Sequence, residues 1–367
     1  MKRSLLAIAV SASLAAPGLA VAHTELYGKI NLSLDKVEPN GTVVNWTGLN
    51  SDQHQWQLNS NESYLGVRGA ADLDVGDLQV IYQLEYETAV DNGKVNALNT
   101  NGTFTTDTFI ARNSFLGLKG GFGTLKAGRF DTPLREMGDS VDQFHDQLYA
   151  DIFNLMAGEW RADNMLAYST PQIANMLTFN VSTVVPEQND VNGSGVQNTE
   201  LFDSFSTSVV LDMDAFKAGL AYDHNNYADT LQNGVDMSAV RLSPLSPVAL
   251  GAPSDIIRLM GSADLDVIEV GVLLQQAEST QDIINGNKEK ERSWLVSAGL
   301  PLGALKLKAQ YGETDPKEVD NAKLTQYSLG ADYMLGKQTK AYLYGSHQEF
   351  DGDRTFAVAG VGMEHRF

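Results

Sequence analysis

Three Asp-x-Asp pairs, Asp72/Asp74, Asp212/Asp214 and Asp264/Asp266, hold carboxylates close enough along the chain to suggest calcium. None carries the glycine and distal glutamate of an EF-hand loop. Each falls where a tight turn is expected, and Asp stabilises turns by bonding its own backbone. The six histidines (23, 54, 145, 224, 347 and 365) are scattered, with no H-E-x-x-H or similar ligand spacing. That spacing predicts no transition-metal site. With no cysteine, thiolate ligands, Cys nucleophiles and disulfides are excluded. Gly120-Gly121-Phe122-Gly123 lacks the Lys-Ser/Thr of a phosphate loop, and no G-x-S-x-G elbow occurs. His347, the one strand histidine away from the chain end, selects no serine partner. The chain is therefore expected to be no enzyme and to need no cofactor. The longest connection lies elsewhere, between Asp131 and Arg161, and it carries the acids Asp131, Glu136, Asp139, Asp142, Asp146, Asp151 and Glu159.

Something must position that run. The chain has 367 residues, 26 basic against 46 acidic, and is 43% apolar. Wholesale disorder does not fit that apolar content, and nucleic-acid binding does not fit that acidity, because affinity there comes from neutralising phosphates. Met1-Lys2-Arg3 is a short positive start, and Leu5 to Leu14 is mostly apolar. Pro17-Gly18 breaks the run before Ala20-Val21-Ala22. This order predicts a secretory signal peptide over 1–22, cleaved near Ala22, and an exported mature chain of 23–367 with net charge −22. No later run is apolar enough for a transmembrane helix, but barrel strands leave a weaker, alternating signal.

Alternation dominates the rest. Leu26, Gly28, Ile30, Leu32 and Leu34 fall on one face, while Tyr27, Lys29, Asn31, Ser33 and Asp35 fall on the other. Sixteen such segments are predicted, near 24–35, 55–71, 77–88, 107–119, 123–130, 162–170, 176–185 and 203–212. They continue near 215–224, 255–264, 267–278, 291–300, 304–313, 324–335, 338–347 and 355–367. Seven tight turns alternate with eight longer connections, at 36–54, 89–106, 131–161, 186–202, 225–254, 279–290, 314–323 and 349–354. Short turns on one side and long loops on the other are the asymmetry of bacterial outer-membrane barrels. Closure requires the last strand to pair with the first, because no open edge is tolerated in lipid. Tyr327, Tyr333, Tyr342, Tyr344 and Phe350 are expected in interfacial girdles, or Tyr342 and Tyr344 in a slide for sugars lining the interior.

Several stretches resemble Gram-negative general porins, and neisserial and related proteobacterial porins in particular. They are Leu26-Tyr27-Gly28-Lys29, the run from Ser114-Phe115-Leu116-Gly117-Leu118-Lys119 to Ala127-Gly128-Arg129, Tyr168-Ser169-Thr170-Pro171, and the terminal Phe367. The resemblance implies a 16-stranded antiparallel transmembrane β-barrel, usually a homotrimer, with an inward-folded third extracellular loop, here 131–161. It also implies a basic wall of Lys29, Arg112, Arg129 and Arg161. Tyr64 stands where many enteric members carry arginine, and Arg68 shares its parity and is the expected substitute. Facing them, the acidic loop would offer Asp131, Glu136, Asp139, Asp142 and Asp146. Opposed charges across a narrow aqueous gap orient water and set ion preference.

The function expected is an outer-membrane porin for passive diffusion of ions and small hydrophilic solutes. Two alternatives stay open. One is a channel selective for phosphate, an oligosaccharide or an organic acid. The other is a non-conducting adhesin or receptor that displays loops 186–202 and 225–254. Net charge leans toward cations, the basic wall toward anions.

Overall fold

The computed structural model describes residues 23–40, 54–93, 95–98, 104–186, 200–227, 253–284, 287–317, 323–350 and 354–367. The expected signal segment, and most of loops 186–202 and 225–254, lie outside them. Eighteen strand segments form one antiparallel sheet. Two pairs of segments are single staves interrupted by a few residues, so the barrel has sixteen staves.

The first is His23–Asn40, and the second is Gln55–Ser60 with Tyr64–Asp72. Third to eighth are Gln79–Glu87, Ile110–Ala111 with Ser114–Gly120, Gly123–Asp131, Arg161–Ser169, Leu177–Val184 and Phe205–Met213. Ninth to twelfth are Phe216–Tyr227, Pro253–Asp264, Glu269–Ile284 and Asn287–Leu302. Last come Leu305–Pro316, Leu324–Met334, Thr339–Phe350 and Arg354–Arg366. The sixteenth closes on the first, in register from Lys29↔Arg366 to Asn40↔Thr355. Phe367 completes the closure, since Gly28 N donates to its carbonyl at 3.0 Å and its own N–H returns the bond at 3.1 Å.

Closure satisfies the backbone groups that an open edge would leave bare in lipid. It also sorts side chains by parity. On the tenth stave Ile256, Arg258 and Met260 are buried while Ile257 and Leu259 are exposed. The same split recurs on the eleventh, where Leu273 and Gln275 are buried beside exposed Val272 and Leu274. Exposed apolar side chains such as Leu34, Leu116, Leu329, Leu343 and Val361 continue the band around the outside. Serines, asparagines and glutamines face in: Asn31, Ser208, Ser297, Gln326, Ser328 and Gln348 are all buried. An outside more apolar than the inside is the reverse of a water-soluble protein, and it suits a barrel with lipid around it and a polar interior.

Two expectations change and a third holds. The connection 279–290 is largely strand, because the eleventh and twelfth staves stay paired as far as Ile284↔Asn287. Cross-strand pairs such as Glu278–Lys290, at 3.3 Å, suit that polar extension. Tyr342 and Tyr344 are in neither a girdle nor an exposed slide. They point inward, buried, and donate to Asn31 Oδ1 (2.6 Å) and Asp35 Oδ1 (3.0 Å). Gly362 and Gly360 on the sixteenth stave make room for the two rings, which occupy the space a Cβ would need. Phe350 is buried as well, while Tyr327 and Tyr333 stay on the outward parity of the fourteenth stave with exposed Leu329. The Asp-x-Asp motifs are turns, with Asp214 at φ 58° and Asp266 at φ 64°, and Asp266 N donates to Asp264 Oδ1 at 3.2 Å.

Candidate functional site

The chain between the fifth and sixth staves, 132–160, folds through two short helical turns. Pro133–Glu136 is capped by Thr132, whose hydroxyl accepts from Arg135 N, and proline suits the first turn because it lacks an N–H to leave unsatisfied. Ile152–Asn154 is capped by Asp151. The segment bonds to inward side chains of distant staves. Ser206 Oγ accepts from Leu134 N at 3.2 Å, Ser297 donates to Val141 O at 2.5 Å, and Gln143 N donates to Gln310 at 3.1 Å. Thr314 and Gln326 donate to Leu155 O and Ala150 O at 2.5 and 2.9 Å. Met137, Val141, Phe144 and Leu155 lie against Gly219, Gly271, Gly330 and Gly312, where any larger residue would collide with them.

Charged side chains hold both ends of this segment. Arg161 binds Asp131 at 3.0 Å and Asn113 at 2.7 Å, and Arg135 joins the same carboxylate at 3.3 Å. Lys29, fully buried on the first stave, pairs with Asp146. On the other side Arg258, also fully buried, donates to Glu159 (2.6 Å), Leu134 O (3.2 Å) and Ala157 O (2.8 Å). Charge-assisted bonds of this kind are stronger than neutral ones.

Of the predicted basic residues, Lys29 and Arg161 therefore meet loop acids. Arg112 instead sits among wall glutamates, bonded to Glu62, to Glu85 at 2.9 Å and to Glu87 at 3.5 Å. Tyr64 occupies the space between, its ring 5.2 Å from both Lys29 Nζ and Arg112 Cζ. Arg129 shares parity with the outward Leu125 and Ala127, and binds exposed Asp163 at 2.5 Å. Arg68 lies on the inward parity of Tyr64 but further toward the short turns, paired at the surface with Glu25 at 2.8 Å. The structure brings neither Arg129 nor Arg68 to the loop acids.

Among those acids, Asp131 and Asp146 form the pairs just described. Asp142 is turned into the loop, accepting from Phe144 N and Ile152 N at 2.8 and 3.0 Å. Glu136 and Asp139 stay exposed. Displacement of water by the surrounding wall pushes their carboxyls up, to about 7 and about 6, against their remaining solvent contact. Asp146, with Asp151 and Asp139 behind it, pushes the His145 imidazole up to about 10. Burial opposes ionisation of Asp146, but His145 and Lys29 outweigh it and hold its carboxyl well below the usual range.

Arg258, Arg135 and the Glu62–Glu85–Glu87 trio carry no motif. Arg258 had one signal, a lone charge between Ile256 and Met260 on the parity opposite Ile257 and Leu259. The expectation of no transition-metal site rested on spacing along the chain. Folding nevertheless brings one ligand atom each of Asp142, His145 and Asp151 within 4.8 Å of the others.

A closed sixteen-stave barrel with an apolar outside and a charged, polar inside defines a transmembrane β-barrel protein of the outer-membrane type. A family model described as Gram-negative porin matches residues 7–353, and the chain belongs to that family. Relatives include the major outer membrane protein P.IB of Neisseria sicca, 26% identical over 389 aligned positions, and that of Neisseria meningitidis serogroup B, 27% identical over 388. Both alignments cover the whole of each chain. Among solved structures, an anion-selective porin from Comamonas acidovorans superposes with a TM-score of 0.71 at 20% identity, over 94% of this chain and all of that one. The protein is thus an outer-membrane β-barrel.

Proposed function

We propose that this barrel is a water-filled channel for passive diffusion of ions and small hydrophilic solutes, narrowed by segment 131–161 and assembled as a homotrimer. The observation that carries the reading is the anchoring of that segment. Its backbone bonds to inward side chains from the eighth to the fourteenth stave, while Lys29 and Arg161 hold it from the opposite side. A segment tied across the interior restricts the path without closing the barrel to water. Charged rows around such a gap orient water and penalise apolar solutes. The channel performs no covalent chemistry.

The remaining unpaired charge favours cations. Three glutamates share the single Arg112, and Glu136 and Asp139 are exposed carboxylates. The similar Comamonas protein is described as anion-selective, so the sign of selectivity is the sharp test. Planar-bilayer conductance across a potassium chloride gradient should show steps closing in threes and a cation-directed reversal potential. Arg112→Gln should move that potential further toward cations, because the glutamates lose their counter-charge. Stable insertion without ion flow would overturn the channel reading and favour a receptor barrel.

A further inference from the structure

One group of side chains in the segment is left without a task by diffusion. Asp142, His145 and Asp151 come together because the chain doubles back between them, with Asp146 at φ 61° in the turn. The two carboxylates are fixed by backbone. Asp142 accepts from Phe144 N and Ile152 N, while Asp151 accepts from Phe153 N (2.9 Å) and Asp146 N (2.8 Å). A carboxylate offers about four lone-pair sites, so each retains capacity for a cation. His145 is exposed, with Nδ1 3.7 Å from Asp151 Oδ2.

A second observation points the same way. Asp146 is only 8% exposed, yet its Oδ1 has no hydrogen bond and lies 3.5 Å from His145 Nε2. Its other oxygen is committed to Lys29. A histidine that ligates a metal characteristically donates its second ring N–H to a carboxylate, which fixes the tautomer. Asp146 stands where it can accept Nε2–H, and a cation that displaces the Nδ1 proton would find that lone pair turned toward the other two carboxylates.

We propose that Asp142, His145 and Asp151 bind a divalent cation of the Zn2+ class, with Asp146 as the residue that positions the imidazole. The donor set selects the metal. One imidazole nitrogen with carboxylate oxygens suits Zn2+ and its first-row neighbours, whereas Ca2+ takes six to eight oxygens. Three protein ligands leave a position for water. Zinc needs ligand atoms at about 2.0–2.2 Å, closer than they now stand, and rotation of the exposed His145 side chain supplies the movement. A bound dication would place positive charge on the segment and reduce cation flow past it.

The test is equilibrium dialysis of the untagged full-length protein against zinc chloride, after removal of metal by chelator. The expected result is saturable binding of one zinc per chain. His145→Ala should abolish it; the side chain is exposed, so folding is not at stake. His224→Ala, which removes another histidine beside an aspartate (Asp255, 2.9 Å), should leave it unchanged. With Cu2+ as probe, the wild-type spin-resonance spectrum should show coupling to one imidazole nitrogen. Asp146→Asn should keep that coupling and weaken binding by about 10–100-fold. No saturable zinc binding, or equal binding by His145→Ala, would overturn the site. Full affinity in Asp146→Asn would overturn the positioning role. Because binding is read directly, absence of ion conduction would leave this result standing, and absence of zinc would leave the channel standing.

Discussion

The two halves of the barrel obey the same alternation of faces but differ in regularity. From the tenth to the sixteenth stave, ladders run unbroken through the middle of the wall, and irregular register among the described residues lies at outer ends, between Asp223 and Asn226 beside the tenth and beyond Glu278 on the eleventh. The early half is interrupted where its charges gather. The second stave breaks at 61–63, with Glu62 at φ 49°, and the fourth breaks at Arg112 and Asn113. The sixth slips register between Ala162 and Met165, with Asn164 at φ 55°. In a regular strand, same-face neighbours stand two residues apart, about 6.6 Å, so that one stave offers a long side chain a pair of partners, as Glu85 and Glu87 do for Arg112. The breaks add Glu62 to that pair around Arg112, and bring Asn113 and Asp131 to Arg161. Irregular strands of this kind re-aim side chains. The regular half supplies the anchor wall, and the broken half supplies the charge.

This contrast can be broken most forcefully at Arg258, a buried arginine on the regular side that holds the segment. Arg258→Ala removes the buried ion pair with Glu159, and should cost about 3–5 kcal/mol. Thermal unfolding followed on gels would measure the loss, and single-channel conductance should rise as the segment loosens. An unchanged conductance would mean that the segment does not limit the path.

Lipid-face charge comes next. Leu259→Arg places a cation on the outside of the regular half and should cost about 2–4 kcal/mol near the bilayer midplane. Leu116→Arg makes the same change on the early half. If early staves pack another copy rather than lipid, only Leu116→Arg should also dissociate the proposed trimer, as read by native gel.

Acidification should act on the segment more gently. Glu136, raised to about 7, and Asp139, raised to about 6, are ionised above those values and neutral below them. Lowering pH from about 8 to about 5 therefore removes negative charge, first at Glu136, and cation preference should fall in that order. Glu136→Gln should delete the upper step of the reversal-potential curve; a curve identical to wild type would remove Glu136 from the path.

The smallest effect is expected at Arg68. Its pair with Glu25 is exposed on both sides, so Arg68→Ala should cost at most about 1 kcal/mol and leave selectivity unchanged. A selectivity shift as large as that of Arg112→Gln would return Arg68 to the constriction.

Much of the barrel was readable from period-two alternation, which dictates which residues face lipid and which face in, whatever their partners. The ends of the staves were less readable. The eleventh and twelfth continue to Ile284↔Asn287 because backbone pairing persists beyond the apolar band, where hydropathy no longer marks it. The site divides in the same way. Lys29 and Arg161 were recognisable beside motif residues, and the acid-rich run 131–161 by its length and its seven acids. Arg258 and the glutamates around Arg112 come from staves far apart in the chain, and Arg129 is turned outward by the parity of its own strand.

By itself, the sequence determined the number of staves, their two faces and the place of the acid-rich segment, because alternation and charge density are local properties of the chain. Only the tertiary structure decided which charges meet. Ion pairs such as Lys29–Asp146 and Arg258–Glu159 join residues 117 and 99 positions apart, and their geometry follows from barrel closure and broken ladders rather than from any neighbouring residue.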